Sequence, residues 1–326
     1  MSDRTLIVAT LGPASDSDEV VRGLIQEGVN IFRCNFSHGT QKDQGVHLAR
    51  VRRIASELNR TVLVLADLQG PKFRLGLFEG KNVVTLNQGD SINLKNGSDG
   101  SKSNHQVLTT GTKHTHVIIR HLNIGERVFI DDGQIVLEVT DRVSLREVTC
   151  RVLVGGEVSP NKGINIPDSK MRIVAITDKD LEDCMYIAQQ DFDYVGLSFV
   201  QHARDVKALR RLLKGYSKRG KTLPKIICKI EKPLAMENIG ELVAESDGCM
   251  VARGDLAVEC GIYSMPGYQR DIIARCNAAG KLVIVATDML KSMIKQPFPE
   301  RSEVSDIAHA VFARADAVML SGEVNV

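Results

Sequence analysis

At 326 residues, with 43% apolar and 25% charged side chains, the chain has enough core-forming material for one large domain or two and is neither disordered nor fibrous. A net charge of +2 gives no electrostatic footprint for nucleic acid or an anionic membrane. Seven cysteines, an odd number without any C-x-x-C pair, indicate neither a disulfide frame nor a zinc site and point to a reducing cytoplasm.

The first apolar run, Thr5–Gly12, is too short and wrongly flanked for a secretory signal and reads as a strand, Leu6–Thr10. All the apolar runs are strand-sized, so no membrane span is expected. Helical spacing follows over Ser17–Gln26, then a strand over Asn30–Phe36, a longer helix over Thr40–Leu58 and a continuous apolar strand over Val62–Asp67. Strands apolar on both faces suit a parallel sheet covered by helices. After Gly70-Pro71 the texture changes. No helix-period segment is evident as far as Lys170. Short alternating strands appear instead, at Val83–Leu86, Ser91–Leu94, Glu126–Ile130, Ile135–Val139 and Val148–Val154, with Asp132-Gly133 as a hairpin signal and Lys95–Asn104 as a solvated loop.

From residue 171 the alternation resumes. A capping-box pattern at Thr177 and Asp180 starts a helix. Strands are expected at Tyr194–Ser198, Lys225–Ile230, Gly248–Ala252, Leu282–Ala286 and Ala317–Leu320. Three strands before the insert and five after it predict an α/β fold, a (β/α)8 TIM barrel lacking its last helix, with a small β-barrel lid inserted after strand 3. The expected organisation is 1–70 and 171–326 for the barrel and 71–170 for the lid.

Barrel active sites lie at the C-terminal strand ends. Those ends carry Thr10, Arg33, Asn35, Ser37, Asp67, Ser198, Lys229, Glu231, Asp255, Thr287 and Glu323. Lys229 and Glu231 are two apart on one strand and so point to the same face. Glu231 and Asp255 at the ends of adjacent strands suit Mg2+ or Mn2+, which take oxygen ligands and keep positions open for substrate. A lysine at such a strand end also fits a Schiff-base aldolase, but the neighbouring carboxylate keeps the ammonium charged. One string, Gly215 to Thr222, matches G-x-x-x-x-G-K-[ST]. It follows a helix and precedes a strand, the reverse of the order phosphate binding needs, and reads as a basic loop.

The motifs Thr10–Ser15, Phe32–Gly39, Ala66–Pro71, Asp131–Gly133, Asn161–Pro167, Lys229–Glu231, Met250–Leu256, Val285–Leu290 and Ala317–Glu323 together resemble the pyruvate kinase family, in order and spacing over essentially the whole chain. The resemblance implies phosphoryl transfer between phosphoenolpyruvate and ADP, giving pyruvate and ATP. It implies catalytic roles for Lys229, Thr287 and Arg33. Substrate binding would involve Arg33, Lys229, Gly254, Asp255, Thr287 and Ser198. Pro13, His38, Arg74 and Lys162 would line the nucleotide site, and Glu231 and Asp255 would hold Mg2+ or Mn2+. Asn35, Ser37, Asp67 and Leu68 resemble the monovalent-cation region. Lys72 stands where potassium-dependent members carry glutamate, which implies that K+ is not required. Gln69, Asn161 and Asp288 depart from the family pattern, with a phosphate-side charge lost at Asn161 and a negative charge added at Asp288. The family's last barrel helix and C-terminal domain are expected to be absent, leaving apolar surface near strand 8 and a homo-oligomer through the barrel as one way to cover it. A truncated, catalytically impaired paralogue with a binding or regulatory role is the alternative to an active cytoplasmic enzyme.

Overall fold

The computed structural model describes residues 5–80, 83–97, 100–111, 116–169, 171 and 173–325. It begins with β1 (Leu6–Thr10), a 3-10 turn at Pro13–Ser15 and α1 (Asp18–Gln26). Ser17 starts α1 because its hydroxyl accepts the Val20 amide at 3.2 Å, and Val21 and Ile25, four apart, form the buried face. β2 (Ile31–Asn35) leads to α2 (Gln41–Glu57), begun by a reciprocal cap between Thr40 and Asp43, and then to β3 (Leu63–Asp67).

The inserted segment contains β4 (Val84–Leu86), β5 (Ser91–Asn96), β6 (Val107–Thr110), α3 (His116–His121), β7 (Arg127–Ile130), β8 (Ile135–Ser144), β9 (Glu147–Val154), β10 (Gly156–Val158) and β11 (Ile164–Asn165). These strands form a six-stranded sheet in the order β11-β7-β8-β9-β5-β6 and a two-stranded pair, β10-β4, rather than one closed ring. Three sequence expectations need correction. The segment contains a helix, α3, too short for its periodicity to register. Lys95 and Asn96 belong to β5, not to a loop, and the remainder of that stretch lies partly outside the described residues. The Asp132-Gly133 hairpin joins β7 to β8, but Ile130 pairs with Ile135, so four residues make the turn. Asp131, Asp132 and Gly133 all take left-handed φ there.

The chain then runs through α4 (Asp178–Ile187), β12 (Tyr194–Leu197), α5 (Ala203–Tyr216), β13 (Lys225–Ile230), α6 (Pro233–Glu237), α7 (Ile239–Glu245) and β14 (Gly248–Ala252). It ends through α8 (Arg253–Cys260), α9 (Met265–Ala278), β15 (Leu282–Ala286), α10 (Arg301–Phe312), β16 (Ala317–Leu320) and α11 (Gly322–Asn325). The capping box at Thr177 is present as the sequence predicts. The G-x-x-x-x-G-K-T string runs from the end of α5 into the loop before β13, so no helix N-terminus meets it. The sequence leads to strand 8 having no barrel helix after it, and what stands there is a four-residue turn. This helical turn, α11, packs beside the 3-10 turn, so closely that a Cβ on Gly12 would lie 2.7 Å from Asn325 Cβ.

Two compact units emerge: Met1–Gly70 with Val174–Leu256 and Tyr263–Val326, and Pro71–Ile173 with Ala257–Ile262. In the first, eight parallel strands close in the order β1-β16-β15-β14-β13-β12-β3-β2. The barrel floor is apolar, with Val8, Ile31, Leu65, Ile227, Met250 and Ile284 packed together among other buried side chains. Burying each contributes roughly 1.5–3 kcal/mol against leaving it exposed. The second unit has its own core, including Leu75, Ile92, Leu108, Val128, Leu137 and Ile164.

Candidate active site

Strand periodicity builds the site from the floor upward. Two residues past Val8, Ile31, Leu65 and Ile227, on the same inward face, stand Thr10, Arg33, Asp67 and Lys229. A polar layer therefore sits directly on the apolar one at the carboxyl end of the barrel. Gly196, the partner of Asp67 across β12 and β3, makes room for it, since a Cβ there would lie 2.8 Å from Asp67 Oδ1.

Arg33 and Asp67 are joined tightly. The Arg33 Nε donates to Asp67 Oδ2 at 2.7 Å, Nη2 lies 2.6 Å from the same oxygen, and Nη1 donates to Thr10 Oγ1 at 3.2 Å. Lys229 Nζ lies 3.3 Å from Asp67 Oδ1 and 3.0 Å from Glu231 Oε1, and donates to Ser198 Oγ at 2.7 Å. Ser198 passes its own hydrogen on to the Leu68 carbonyl at 2.7 Å. Glu231 Oε2 accepts the Phe199 amide at 2.7 Å. Both carboxylate side chains are about 1% exposed and Lys229 is 13% exposed, so these charges act in a largely dry environment where each is felt strongly.

The electrostatics follow from burial against partners. Burial opposes the charge on Lys229, but Asp67 and Glu231 outweigh it and raise the ammonium above its ordinary pKa. Burial pushes Asp67 up, while Lys229 and Arg33 more than compensate and hold it below the usual carboxylate range. Glu231 moves the other way, raised by burial and further by Asp255, with Lys229 opposing. Two carboxylates share one ammonium, and Asp67 has Arg33 besides, so Glu231 is the less compensated of the two.

Glu231 Oε1 and Asp67 Oδ1 are buried and face the Lys229 ammonium, at 3.0 and 3.3 Å. A buried carboxylate whose charge a second carboxylate, Asp255, further disfavours is an oxygen donor of the kind a hard divalent cation takes. Asp255 is not at a strand end, as the sequence suggested, but in the first turn of α8, where the helix dipole favours its charge. Among the described residues no three His, Cys, Asp or Glu side chains form a metal group. Two protein carboxylates with the remaining positions left to water and phosphate match Mg2+ or Mn2+ better than a fully protein-lined cage.

Thr287 follows β15 with φ +79°, and Asp288 with +54°. A β-branched residue in this region costs on the order of 1–3 kcal/mol and persists only where its surroundings enforce it. Gly254 allows the approach, since a Cβ there would lie 3.0 Å from Thr287 Cγ2.

Of the other expected residues, Asn35 Oδ1 accepts the Ser37 amide at 3.1 Å, and Pro13 and His38 are exposed on the barrel unit. Arg74 and Lys162 belong to the inserted unit. Arg74 Nη1 donates to the Asn161 carbonyl at 2.8 Å, and Lys162 Nζ lies 2.8 Å from Asp131 Oδ2. Lys72 also lies in that unit and is half-buried. Two departures acquire physical reasons. Asn161 has φ +64°, a conformation asparagine tolerates far better than lysine, and the Asp288 carboxylate is paired with Lys291 at 3.2 Å. Nothing in the structure explains Gln69. Sequence reading missed Asp180, whose Oδ1 fixes the Gly70 turn at 3.1 Å, and Asp306, which holds Arg253. The capping box flagged Asp180 only as a helix start.

A family model described as pyruvate kinase, barrel domain, matches residues 2–325. The chain is 43% identical over 325 residues to pyruvate kinase 2 of Synechocystis, covering 98% of this chain and 53% of that protein. It is 40% identical over 326 residues to a pyruvate kinase of Mycobacterium tuberculosis, covering 100% and 67%. A crystal structure of a pyruvate kinase from Cryptosporidium parvum superposes with a TM-score of 0.92 at 33% identity, over 99% of this chain and 65% of that one. The chain thus spans about half to two thirds of the length of the relatives it matches. An eight-stranded barrel with this buried Asp67, Lys229 and Glu231 cluster, matched end to end by that model and by these relatives, belongs to the pyruvate kinase family.

Proposed function

We propose that this chain performs phosphoryl transfer between phosphoenolpyruvate and ADP, yielding pyruvate and ATP. The observation that carries the proposal is the buried Lys229 ammonium, held charged by Asp67 and Glu231 and orientated by Ser198. In the transfer, the bond between phosphorus and the enol oxygen breaks and one to a β-phosphate oxygen of ADP forms. The enolate carbon then takes up a proton. A phosphoryl group in flight spreads charge over three oxygens, and a fixed cation in a dry site stabilises it without reorganising.

Arg33 is braced by Asp67 and Thr10 and presents a guanidinium suited to phosphate oxygens. Glu231 and Asp255 would hold Mg2+ or Mn2+, which when bound supplies charge neutralisation between substrate carboxylate and phosphate. Gly254 and Thr287 lie together, and Thr287 serves the face that receives the proton. Pro13 and His38 serve the nucleotide from the barrel unit, and for Arg74 and Lys162, on the inserted unit, the same role rests on the family resemblance alone.

K+ is not required in this reading. Within the barrel unit Arg33 and Lys229 both lie against Asp67, and Lys72 enters through the resemblance alone, as the residue standing where potassium-dependent members carry glutamate. Activity in a Na+ buffer should rise less than about twofold on adding K+; a rise of tenfold or more, of the order expected when a missing charge is supplied, would overturn it. No described helix is long and apolar enough to cross a membrane, and work in the cytoplasm is proposed from the reduced cysteines and the substrates. A homo-oligomer through the barrel is proposed, and the exposed Phe298, Val304 and Phe312, on and beside α10, are apolar side chains it could bury.

A lactate dehydrogenase-coupled assay of the purified chain with phosphoenolpyruvate, ADP and Mg2+ tests the main reading. Pyruvate should form, and Lys229→Met should abolish it. A folded parent chain that makes no pyruvate, or one indifferent to Lys229→Met, would sink the proposal and favour a non-catalytic binding role.

A further inference from the structure

Arg253 stands between the last residue of β14 and the substrate-side pair Gly254 and Asp255. Arg253 is 6% exposed, and its donors go to the chain itself. Nε donates to the carbonyls of Ala286 at 3.2 Å and Thr287 at 3.1 Å, and Nη2 donates to the Thr287 carbonyl and lies 3.0 Å from Met289 Sδ. Nη1 is paired with Asp306 Oδ2 on α10. The guanidinium therefore grips both carbonyls flanking the point where the backbone enters the left-handed region. From the other side Glu323 Oε1 accepts the Leu290 amide at 3.0 Å, while its Oε2 accepts the Ser321 amide at 2.7 Å.

We propose that Arg253, anchored by Asp306, is the positioning residue of Thr287: it holds the strained backbone so that the threonine hydroxyl keeps one fixed place over the barrel mouth. This rests on the reading of Thr287 as the group on the proton-receiving face of the enolate. A planar fork fits the task because it reaches two successive carbonyls and a carboxylate at once, which an ammonium on a flexible stem does not. Without it Thr287 is free to relax toward ordinary φ. The consequence should fall on the protonation step more than on binding, since a displacement of about 1 Å in a reacting group costs on the order of 100-fold.

An enzyme that protonates the enolate must also catalyse the reverse, exchange of pyruvate methyl hydrogens with solvent, and this can be followed by NMR in deuterated buffer with Mg2+. Arg253→Met should slow exchange and kcat about 100-fold, with KM for phosphoenolpyruvate and the Mg2+ concentration for half activation changing less than about threefold. Asp306→Asn, which loosens the anchor at a side chain 37% exposed, should slow both about tenfold and leave the fold intact, so it carries the test if Arg253→Met does not fold. Arg253→Met combined with Thr287→Ala should be no slower than Thr287→Ala alone. Exchange unchanged in folded Arg253→Met or in Asp306→Asn, or losses that multiply in the double variant, would overturn the proposal while Thr287→Ala still slows exchange. If Thr287→Ala exchanges at the parent rate, the reading of Thr287 falls and this proposal falls with it.

Discussion

Two lysine–carboxylate sites on this chain share chemistry and differ in environment. Lys229 sits between Asp67 and Glu231 in the barrel, 13% exposed against carboxylates about 1% exposed. Lys162 faces Asp131 in the inserted unit with side chains 39% and 21% exposed. Their closest N–O distances are similar, 3.0 Å to Glu231 and 2.8 Å to Asp131, so distance alone does not separate them. Burial does. In the barrel every charge has been taken from water and is retained by its neighbours, so removing one strands the others. In the inserted unit water screens the pair and can replace either partner. In the proposed function the first arrangement would fix a charge in place for chemistry, and the second would let a lysine exchange Asp131 for a phosphate.

Lys229→Met should therefore have the largest effect. It removes the ammonium that lies between two buried carboxylates, and a cost of about 3–5 kcal/mol in stability is expected alongside a fall in turnover of at least about 1000-fold. Chemical denaturation and the coupled assay read these separately. A variant as stable as the parent would show that the cluster is wetter than it looks.

Asp67→Asn comes next and carries a pH signature. The Asp67 carboxyl is held below its ordinary value by Lys229 and Arg33, although burial acts against it. A group with a depressed folded pKa stabilises fully above its unfolded value, near 3.9, and loses that contribution as pH falls through the lower folded value. Lys229, raised in the fold, keeps its contribution until pH rises past about 10.4, so it stays constant across the acid range. Asp67→Asn should cost about 3 kcal/mol at pH 7 and progressively less below pH 4, measured as the gap in melting temperature from the parent. A gap as wide at pH 3 as at pH 7 would mean that the aspartate acts through shape and not charge.

The sequence carried the barrel because most of its strands are short, largely apolar runs, and Leu63–Ala66 or Gly248–Ala252 admits little else. It carried the juxtaposition of Lys229 and Glu231 because two residues on one strand share a face. It did not carry the partners that closure of the ring supplies. Arg33 and Asp67 are 34 residues apart and Arg253 and Asp306 are 53 apart, and no local pattern joins them. The left-handed φ of Thr287 and Phe199 was equally hidden, because threonine and phenylalanine advertise no such conformation. In the inserted unit β6, β10 and β11 were overlooked, since strands of two to four residues show too little alternation to stand out.

Lys162→Met is the smallest effect and the sharpest check on the comparison. The Asp131 partner lies on the β7–β8 turn, where Asp131 itself has φ +54° and stays solvated when the lysine leaves. Stability should change by less than about 1 kcal/mol, and 0.5 M NaCl should shrink even that difference, as screening of an exposed pair requires. The effect should appear instead in the nucleotide. Losing a phosphate-side cation should raise KM for ADP about tenfold, with kcat and KM for phosphoenolpyruvate within about twofold, because an exposed lysine that binds without sensing the transferring phosphoryl group contributes equally to ground and transition states. A drop in kcat matching that of Lys229→Met would place Lys162 in the chemistry, and a loss of stability matching Asp67→Asn would show that its pair is structural. Either result would erase the distinction between the two sites.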